Sequence, residues 1–221
     1  MWSLLICSTL AALIFAAPPI VPYEAANGGC VDGVNNVVDM DNVGDPSALF
    51  IRVKDVIART YDDSGNPSCY EGRAAVKLPG IIKLLNGKGL ESSTITVTKS
   101  FDLKKSGDIK LTLTKDSFII GTVCKNGVSE SGLVPSSDCH HAMYPELGEA
   151  FMDMISTPGT YDLEEIEKTT GKSNIVKLPA AQGALAYIIK GDWKTQIALV
   201  CDSQQVADIK IPSNTDWLYI N

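Results

Sequence analysis

Two short segments with alternating apolar side chains place the strongest limit on the fold of this chain. Residues 93–100 read STITVTKS, in which Ile95 and Val97 alternate with threonine, and residues 108–114 read DIKLTLT, in which Ile109, Leu111 and Leu113 recur at every second position. Such alternation is typical of strands with one buried and one exposed face. Further short β-rich runs, separated by turn-forming residues, follow as far as Val206–Ile211. The pattern predicts an all-β fold, an antiparallel two-sheet sandwich or cup.

One short helix interrupts these strands. In Ala142–Ile155, four apolar residues at positions i, i+4, i+7 and i+8 fall on one helical face, and they are Leu147, Phe151, Met154 and Ile155. Thr157-Pro158-Gly159 ends the segment. These side chains either fill a core or line an apolar cavity, where a methionine accommodates ligands of different shapes.

Some other segments predict strands, and others fit two interpretations. Phe118–Val123, which includes Ile120, has no charged residue and predicts a strand covered on both faces. Ala184–Ile189 and Thr195–Val200 predict two strands joined by a turn at residues 190–192. Trp193, beside that turn, lies either at a rim that can contact a membrane interface or over the core. Ser47–Thr60 fits both strand and helical spacing.

The N-terminal region predicts an exported protein. Trp2–Ala16 is apolar and uncharged, and it is too short to span a bilayer, as in a signal peptide. We therefore expect a signal peptide over residues 1–16, an N-terminal extension over 17–68, and a main domain over 69–221. The turn-rich segment Asp62–Pro67 marks the boundary, and the expected location is extracellular or lysosomal.

Cysteine content and net charge indicate which kinds of protein this chain can be. Six cysteines are present, and the five that follow the signal segment allow two disulfides and one unpaired thiol, which is free or joins two chains. The formal net charge is −7, with scattered lysines and arginines, which argues against a nucleic-acid partner.

The sequence offers little support for catalysis, a metal site or a cofactor. His140 and His141 are the only histidines. Adjacent side chains on a strand point to opposite faces, so they form a poor metal-binding pair, and we expect both in a solvated loop. No Gly-x-Ser-x-Gly motif or phosphate-binding loop is present. We therefore predict a binding protein and not an enzyme.

The order of several motifs resembles the ML (lipid-recognition) superfamily, in particular its ganglioside activator branch. Cys69-Tyr-Glu-Gly resembles the family's opening Cys-x-Glu-Gly, and Phe151–Ile155 (FMDMI) resembles its helix. Gly159–Leu163 (GTYDL) resembles the family's Gly-Thr-Tyr-x-Leu turn, and the chain then shows two strands, a cysteine and Ile209-Lys-Ile211. The activators carry a cysteine-rich loop after the helix that this chain lacks, and the extension over 17–68 has no counterpart.

The resemblance implies both disulfide connectivity and function. The family's first cysteine pairs with its last, which implies Cys69–Cys201 and Cys124–Cys139 and leaves Cys30 over, available for a disulfide dimer. It also implies a lipid carrier that takes acyl chains of a glycolipid, phospholipid or fatty acid into an apolar cup. The head group would be presented to a lipid hydrolase or receptor at a membrane surface.

The expected lipid-binding residues combine the helix face with apolar residues elsewhere, and they are Phe118, Ile120, Phe151, Met154, Ile155, Tyr161 and Trp193. The alternative is an exported interaction module, such as an immune or chemosensory adaptor, with a filled core and no lipid cargo. A lipid that co-purifies with the protein would distinguish the lipid carrier from the interaction module.

Overall fold

The structure is a computed structural model that describes residues 29–87, 93–132, 134–181 and 188–221. The expected signal peptide over residues 1–16 and most of the expected strand Ala184–Ile189 lie outside the described residues. Within the described part of the chain, no helix is long and apolar enough to cross a membrane.

The described residues form seventeen strands and three short α-helices. The strands are β1 (Val37–Asp39), β2 (Asp41–Asn42), β3 (Ile51–Lys54), β4 (Val56–Asp62), β5 (Cys69–Tyr70), β6 (Arg73–Val76), β7 (Gly80–Asn86), β8 (Thr94–Val97), β9 (Gly107–Lys115), β10 (Thr122–Lys125), β11 (Val128–Ser129), β12 (His140–Ala142), β13 (Gly159–Asp162), β14 (Ile175–Leu178), β15 (Gly191–Cys201), β16 (Gln204–Ile211) and β17 (Leu218–Ile220). The helices are α1 (Leu103–Ser106), α2 (Glu149–Ile155) and α3 (Leu163–Thr170). The predominance of antiparallel strands confirms the predicted fold class.

The largest sheet, sheet B, is built around the antiparallel pair β9 and β15. Its main order is β11-β10-β9-β15-β17-β6-β5, while β12 pairs with β9, and β16 pairs with both β15 and β2. Residues of β9 alternate between buried and half-buried, with Ile109, Leu111 and Leu113 facing the core. The alternating sequence pattern of this segment therefore specifies its inner face.

Two smaller sheets include strands from the N-terminal extension. Sheet A has the order β1-β4-β7-β14, and sheet C has the order β13-β8-β3. The segment Ser47–Thr60, which fitted helix or strand, forms β3 and most of β4, separated at Asp55 by a positive φ of 55°. Strands β2, β3 and β4 pair with β16, β8 and β7, so the described extension is hydrogen-bonded to later segments.

The main core lies where sheets B and C meet the helices. It gathers side chains from β9, from β3 and β8, and from all three helices, including Leu103, Leu111, Phe151 and Ile166. A second apolar cluster joins sheet A to sheet B. The sheets are therefore held together mainly by burial of apolar surface, which contributes about 25 cal/mol for each Å² removed from water.

The helices differ from the single helix expected over Ala142–Ile155. Ala142 ends strand β12, and α2 begins only at Glu149, after a turn that contains Pro145. A helix that the sequence interpretation missed, α3, follows β13. The Asp162 carboxylate caps it by accepting the backbone N–H of Glu165 at 2.8 Å, and Gly171, with φ of 66°, ends it.

The disulfide pattern requires one correction. The bridge between Cys124 and Cys139 is present, but Cys69 bonds to Cys30 and not to Cys201. Strand pairing through β6 and β17 places Cys69 three strands from β15 and level with the start of that strand, whereas Cys201 ends it. Cys201 follows Asp192 by nine positions, which span about 30 Å of strand, far beyond the reach of a disulfide. Cys30 is therefore bonded within the chain, and Cys201 is a buried free thiol.

Candidate functional site

The loop between β9 and β10 presents two apolar side chains to solvent. Phe118 and Ile119 are 107% and 92% exposed. The expected covered strand Phe118–Val123 is therefore wrong in its first half, since residues 118–120 form a turn and β10 begins at Thr122. Asp116 and Ser117 before the apolar residues, and Gly121 after them, are the turn-forming signals that identify this loop.

Hydrogen bonds define the conformation of this loop. The Lys115 N–H donates to the Gly121 carbonyl at 2.9 Å, and the Gly121 N–H donates to the Ser117 carbonyl at 2.9 Å. The Ser117 hydroxyl oxygen accepts the Ile120 N–H at 3.2 Å, and Ile120 packs against the main core. Phe118 and Ile119 are thus held outward by a closed turn.

Trp193 lies at the same end of sheet B. It occupies β15 opposite Lys115 on one side and Leu218 on the other, so the expected turn at residues 190–192 is wrong from Gly191 onward. The half-buried indole packs against the main core and donates its Nε1–H to the Ile189 carbonyl at 2.6 Å. The backbone N–H of Asp116 donates to the Asp192 carbonyl, which connects the loop to β15.

We call this region the apolar end, defined by Phe118, Ile119, Ile120, Ile188, Ile189 and Trp193. It lies at one end of the paired strands β9 and β15, where the β9–β10 loop meets the start of β15. Of these residues, the sequence predicts Phe118, Ile120 and Trp193 as lipid-binding residues, with Trp193 either at a rim or over the core. The structure places Ile120 and Trp193 against the core and Phe118 in solvent.

Lys115 lies beneath the apolar end and is only 9% exposed. Its ammonium group donates to the Ile188 carbonyl and lies 5.6 Å from the centre of the Trp193 ring. Burial lowers the pKa of this lysine, because desolvation penalises its charged form. The neighbouring Gly191 leaves room for the side chain, since a β-carbon there would stand 3.0 Å from Lys115 Cε.

The residues expected to line a lipid cup are closely packed. Phe151, Met154 and Ile155 are 5%, 7% and 2% exposed and contribute to the main core. A side chain that lines an open cavity retains surface accessible to water, and these retain very little. Tyr161, half-buried against the same core, donates its hydroxyl to the Thr157 carbonyl at 2.8 Å, and burial raises its pKa.

A cleft of about 620 Å³ lies elsewhere, between sheets A and C. Three carboxylates and two cations contribute to its lining, and these charged residues are Asp39, Asp41, Arg52, Lys54 and Asp55. The Asn42 side chain closes one wall through two hydrogen bonds to the Val53 backbone, at 2.7 and 3.0 Å. Such a mixed-charge surface suits a hydrated polar group better than an acyl chain. No sequence signal connects these scattered residues.

The two histidines lie on a strand and not in the expected loop. His140 and His141 belong to β12 and pair with Lys110 and Ile109 of β9, which directs their side chains to opposite faces. The Nδ1 atom of His140 lies 3.2 Å from the Gly127 carbonyl oxygen. Among the residues that the structure describes, no group of three potential ligands could hold a metal ion.

Comparison with known proteins does not assign the chain to a family. No family model matches it. No curated protein matches it significantly either. Functional inference for this chain therefore depends on its own geometry and chemistry.

Proposed function

We propose that this chain is an exported lipid-binding protein that contacts a lipid surface through its apolar end. The observation that carries the proposal is the full exposure of Phe118 and Ile119 on a loop closed by hydrogen bonds. Solvent-exposed apolar side chains cost free energy unless a partner covers them, so their fixed outward position favours a binding role. The two disulfides fit a secreted or lysosomal location, because they persist in oxidising compartments.

The expected strength of this contact follows from the two side chains. Burying a phenylalanine or an isoleucine is worth about 1.5–3 kcal/mol each, so both together contribute about 3–6 kcal/mol. That range brackets the weak, reversible anchoring of a single myristoyl chain, at about 5.5 kcal/mol. A net charge of −7 gives no general attraction to anionic lipid at neutral pH, so binding to zwitterionic vesicles is the appropriate test.

The proposal differs from the cup that the ML resemblance implies. Lipid remains the partner class, with a membrane surface as the contact and a lipid hydrolase or receptor as a further partner. Because the α2 side chains are already packed, the lipid contact is assigned to the apolar end. Uptake of an acyl chain by α2 would require displacement of Phe151 or Met154 from the main core.

Vesicle flotation with a matched pair of variants tests this function. The variant F118S/I119S removes the two exposed apolar side chains, while V31S/V34S removes two others that are 50% and 66% exposed and lie far away in sequence. We expect binding to phosphatidylcholine vesicles to fall at least tenfold in the first variant and to persist in the second. Equal binding by the wild type and F118S/I119S would refute the proposal.

A second candidate function is an interaction module with a filled core and no lipid cargo. The packed side chains of α2 favour it, since they leave little accessible surface for a lipid. In that case the apolar end inserts into a pocket of a receptor. Native mass spectrometry of the unreduced protein, with organic extraction, separates the two: an extractable lipid supports the first function, and an unliganded protein that ignores vesicles supports the second.

A further inference from the structure

A buried lysine, Lys115, lies directly beneath the apolar end. Lys115 uses one of its three ammonium hydrogens in the bond to the Ile188 carbonyl. Within the described part of the chain no carboxylate pairs with it, and desolvation lowers its pKa. Burying a charged group without a counter-charge is costly, so this position is unusual for a lysine that serves packing alone.

The surroundings of Lys115 accommodate its side chain closely. The Trp193 ring lies 5.6 Å from the ammonium nitrogen, and Gly191 exposes its backbone to the aliphatic stem. Gly191 has a φ of 133°, which favours glycine, and an added β-carbon would press on Lys115 Cε at 3.0 Å. Among the residues that the structure describes, the ammonium has no second hydrogen-bond acceptor, and the exposed Phe118 follows Lys115 by three positions in the chain. A cation next to an apolar surface is the arrangement that recognises an anionic amphiphile.

We propose that the apolar end binds a single fatty acid anion, with its carboxylate on the Lys115 ammonium and its acyl chain along Phe118 and Ile119. This inference rests on the proposed lipid-binding function and names the ligand class for the same site. The carboxylate supplies a counter-charge that the described residues do not provide, and it accepts N–H groups of the ammonium. The confined position of the ammonium favours a compact carboxylate over a phosphodiester with two attached groups.

Comparison of oleate with oleyl alcohol tests the role of the carboxylate, because the two ligands share one chain and differ in charge. Equilibrium dialysis at concentrations below micelle formation gives both dissociation constants for the full chain. We expect the wild type to prefer oleate by about tenfold or more, since a hydrogen bond to a charged group is worth at least that factor. K115M, which keeps side-chain length and removes the charge, is expected to abolish the preference.

A matched control separates local recognition from net charge. Lys125 is exposed on β10, so K125M changes the total charge equally and is expected to keep the preference for oleate. Acetylation of the wild type, followed by peptide mass spectrometry, needs no variant: oleate should protect Lys115, and oleyl alcohol should not. This second measurement decides the matter if K115M fails to fold.

The outcomes distinguish this inference from the proposed function. Equal affinity of the wild type for both ligands, or an unchanged preference in folded K115M, overturns the fatty acid assignment. Vesicle binding that still depends on Phe118 and Ile119 would then leave the lipid-surface function intact. If vesicle binding did not depend on Phe118 and Ile119, both the lipid-surface function and the fatty acid assignment would lose their basis.

Discussion

Removal of the Cys30–Cys69 disulfide tests the disulfide connectivity of this chain. The double variant C30A/C69A opens a loop with a sequence separation of 39. In the loop-entropy model, closing such a loop stabilises the folded state by about 4 kcal/mol, against about 3 kcal/mol for a separation of 15. By contrast, C201A removes one buried thiol that forms no disulfide, at a cost of about 1 kcal/mol.

Urea unfolding and thermal unfolding of the oxidised proteins measure these differences in stability. For a chain of this size, 4 kcal/mol corresponds to a fall in melting temperature of about 8–16 °C, and 1 kcal/mol to about 2–4 °C. Peptide mapping without reduction should recover a Cys30–Cys69 linkage in both the wild type and C201A. In the presence of a reductant, the difference between wild type and C30A/C69A should largely disappear.

The opposite ranking would refute the connectivity. If C201A lost about 4 kcal/mol and C30A lost almost nothing, the bridge would join Cys69 to Cys201, as the family resemblance implies. The register of β15, β17 and β6 would then also be wrong, because that register holds these two cysteines far apart. The measurement therefore tests sheet B as well as the bridge.

Three further predictions concern packing, capping and titration. F151A should lower the free energy of unfolding by about 3–5 kcal/mol in a urea titration, whereas F118A should change it by less than about 0.5 kcal/mol, because only the first side chain is buried. D162A should cost about 1 kcal/mol and reduce helical circular dichroism, since it removes the cap of α3. Hydrogen bonds from Ser47 lower the pKa of the Asp45 carboxyl below 3.8, so the ionised carboxylate stabilises the fold at neutral pH, and this contribution is lost as the pH falls through the lowered pKa. S47A should raise the pKa of Asp45 in an NMR titration. An unchanged pKa would contradict the role of Ser47.

The sequence predicts this fold best where only one face of a strand is buried, because apolar and polar residues then alternate along the strand. In β9, the positions of Ile109, Leu111 and Leu113 specify both the strand and its buried side. Uniformly apolar segments are harder to interpret, because they carry no periodicity. Phe118–Val123 was therefore expected to be a buried strand, although the bond from Gly121 to Ser117 closes a turn and places Phe118 in solvent.

Long-range relations explain most of the other differences. The partner of Cys69 depends on where β5 joins sheet B, and neither cysteine spacing nor composition encodes that position. The sequence predicts the candidate site in part, since Phe118, Ile120 and Trp193 are among its expected lipid-binding residues. It does not predict the burial of Lys115, because a lysine at the end of an alternating strand is ordinarily solvated. Only the pairing of β9 with β15 brings it beneath Trp193.

The position of β17 bears on how this protein reaches its folded state during synthesis. Leu218–Ile220 forms an interior strand of sheet B, antiparallel to β15 and parallel to β6. The hydrogen-bonding edge of β6 therefore stays open until a segment made much later arrives, and such non-local pairing slows folding. During translation, the nascent chain carries an unpaired strand edge of the kind that associates with other chains, which makes protection by a chaperone most valuable just before residues 218–220 emerge.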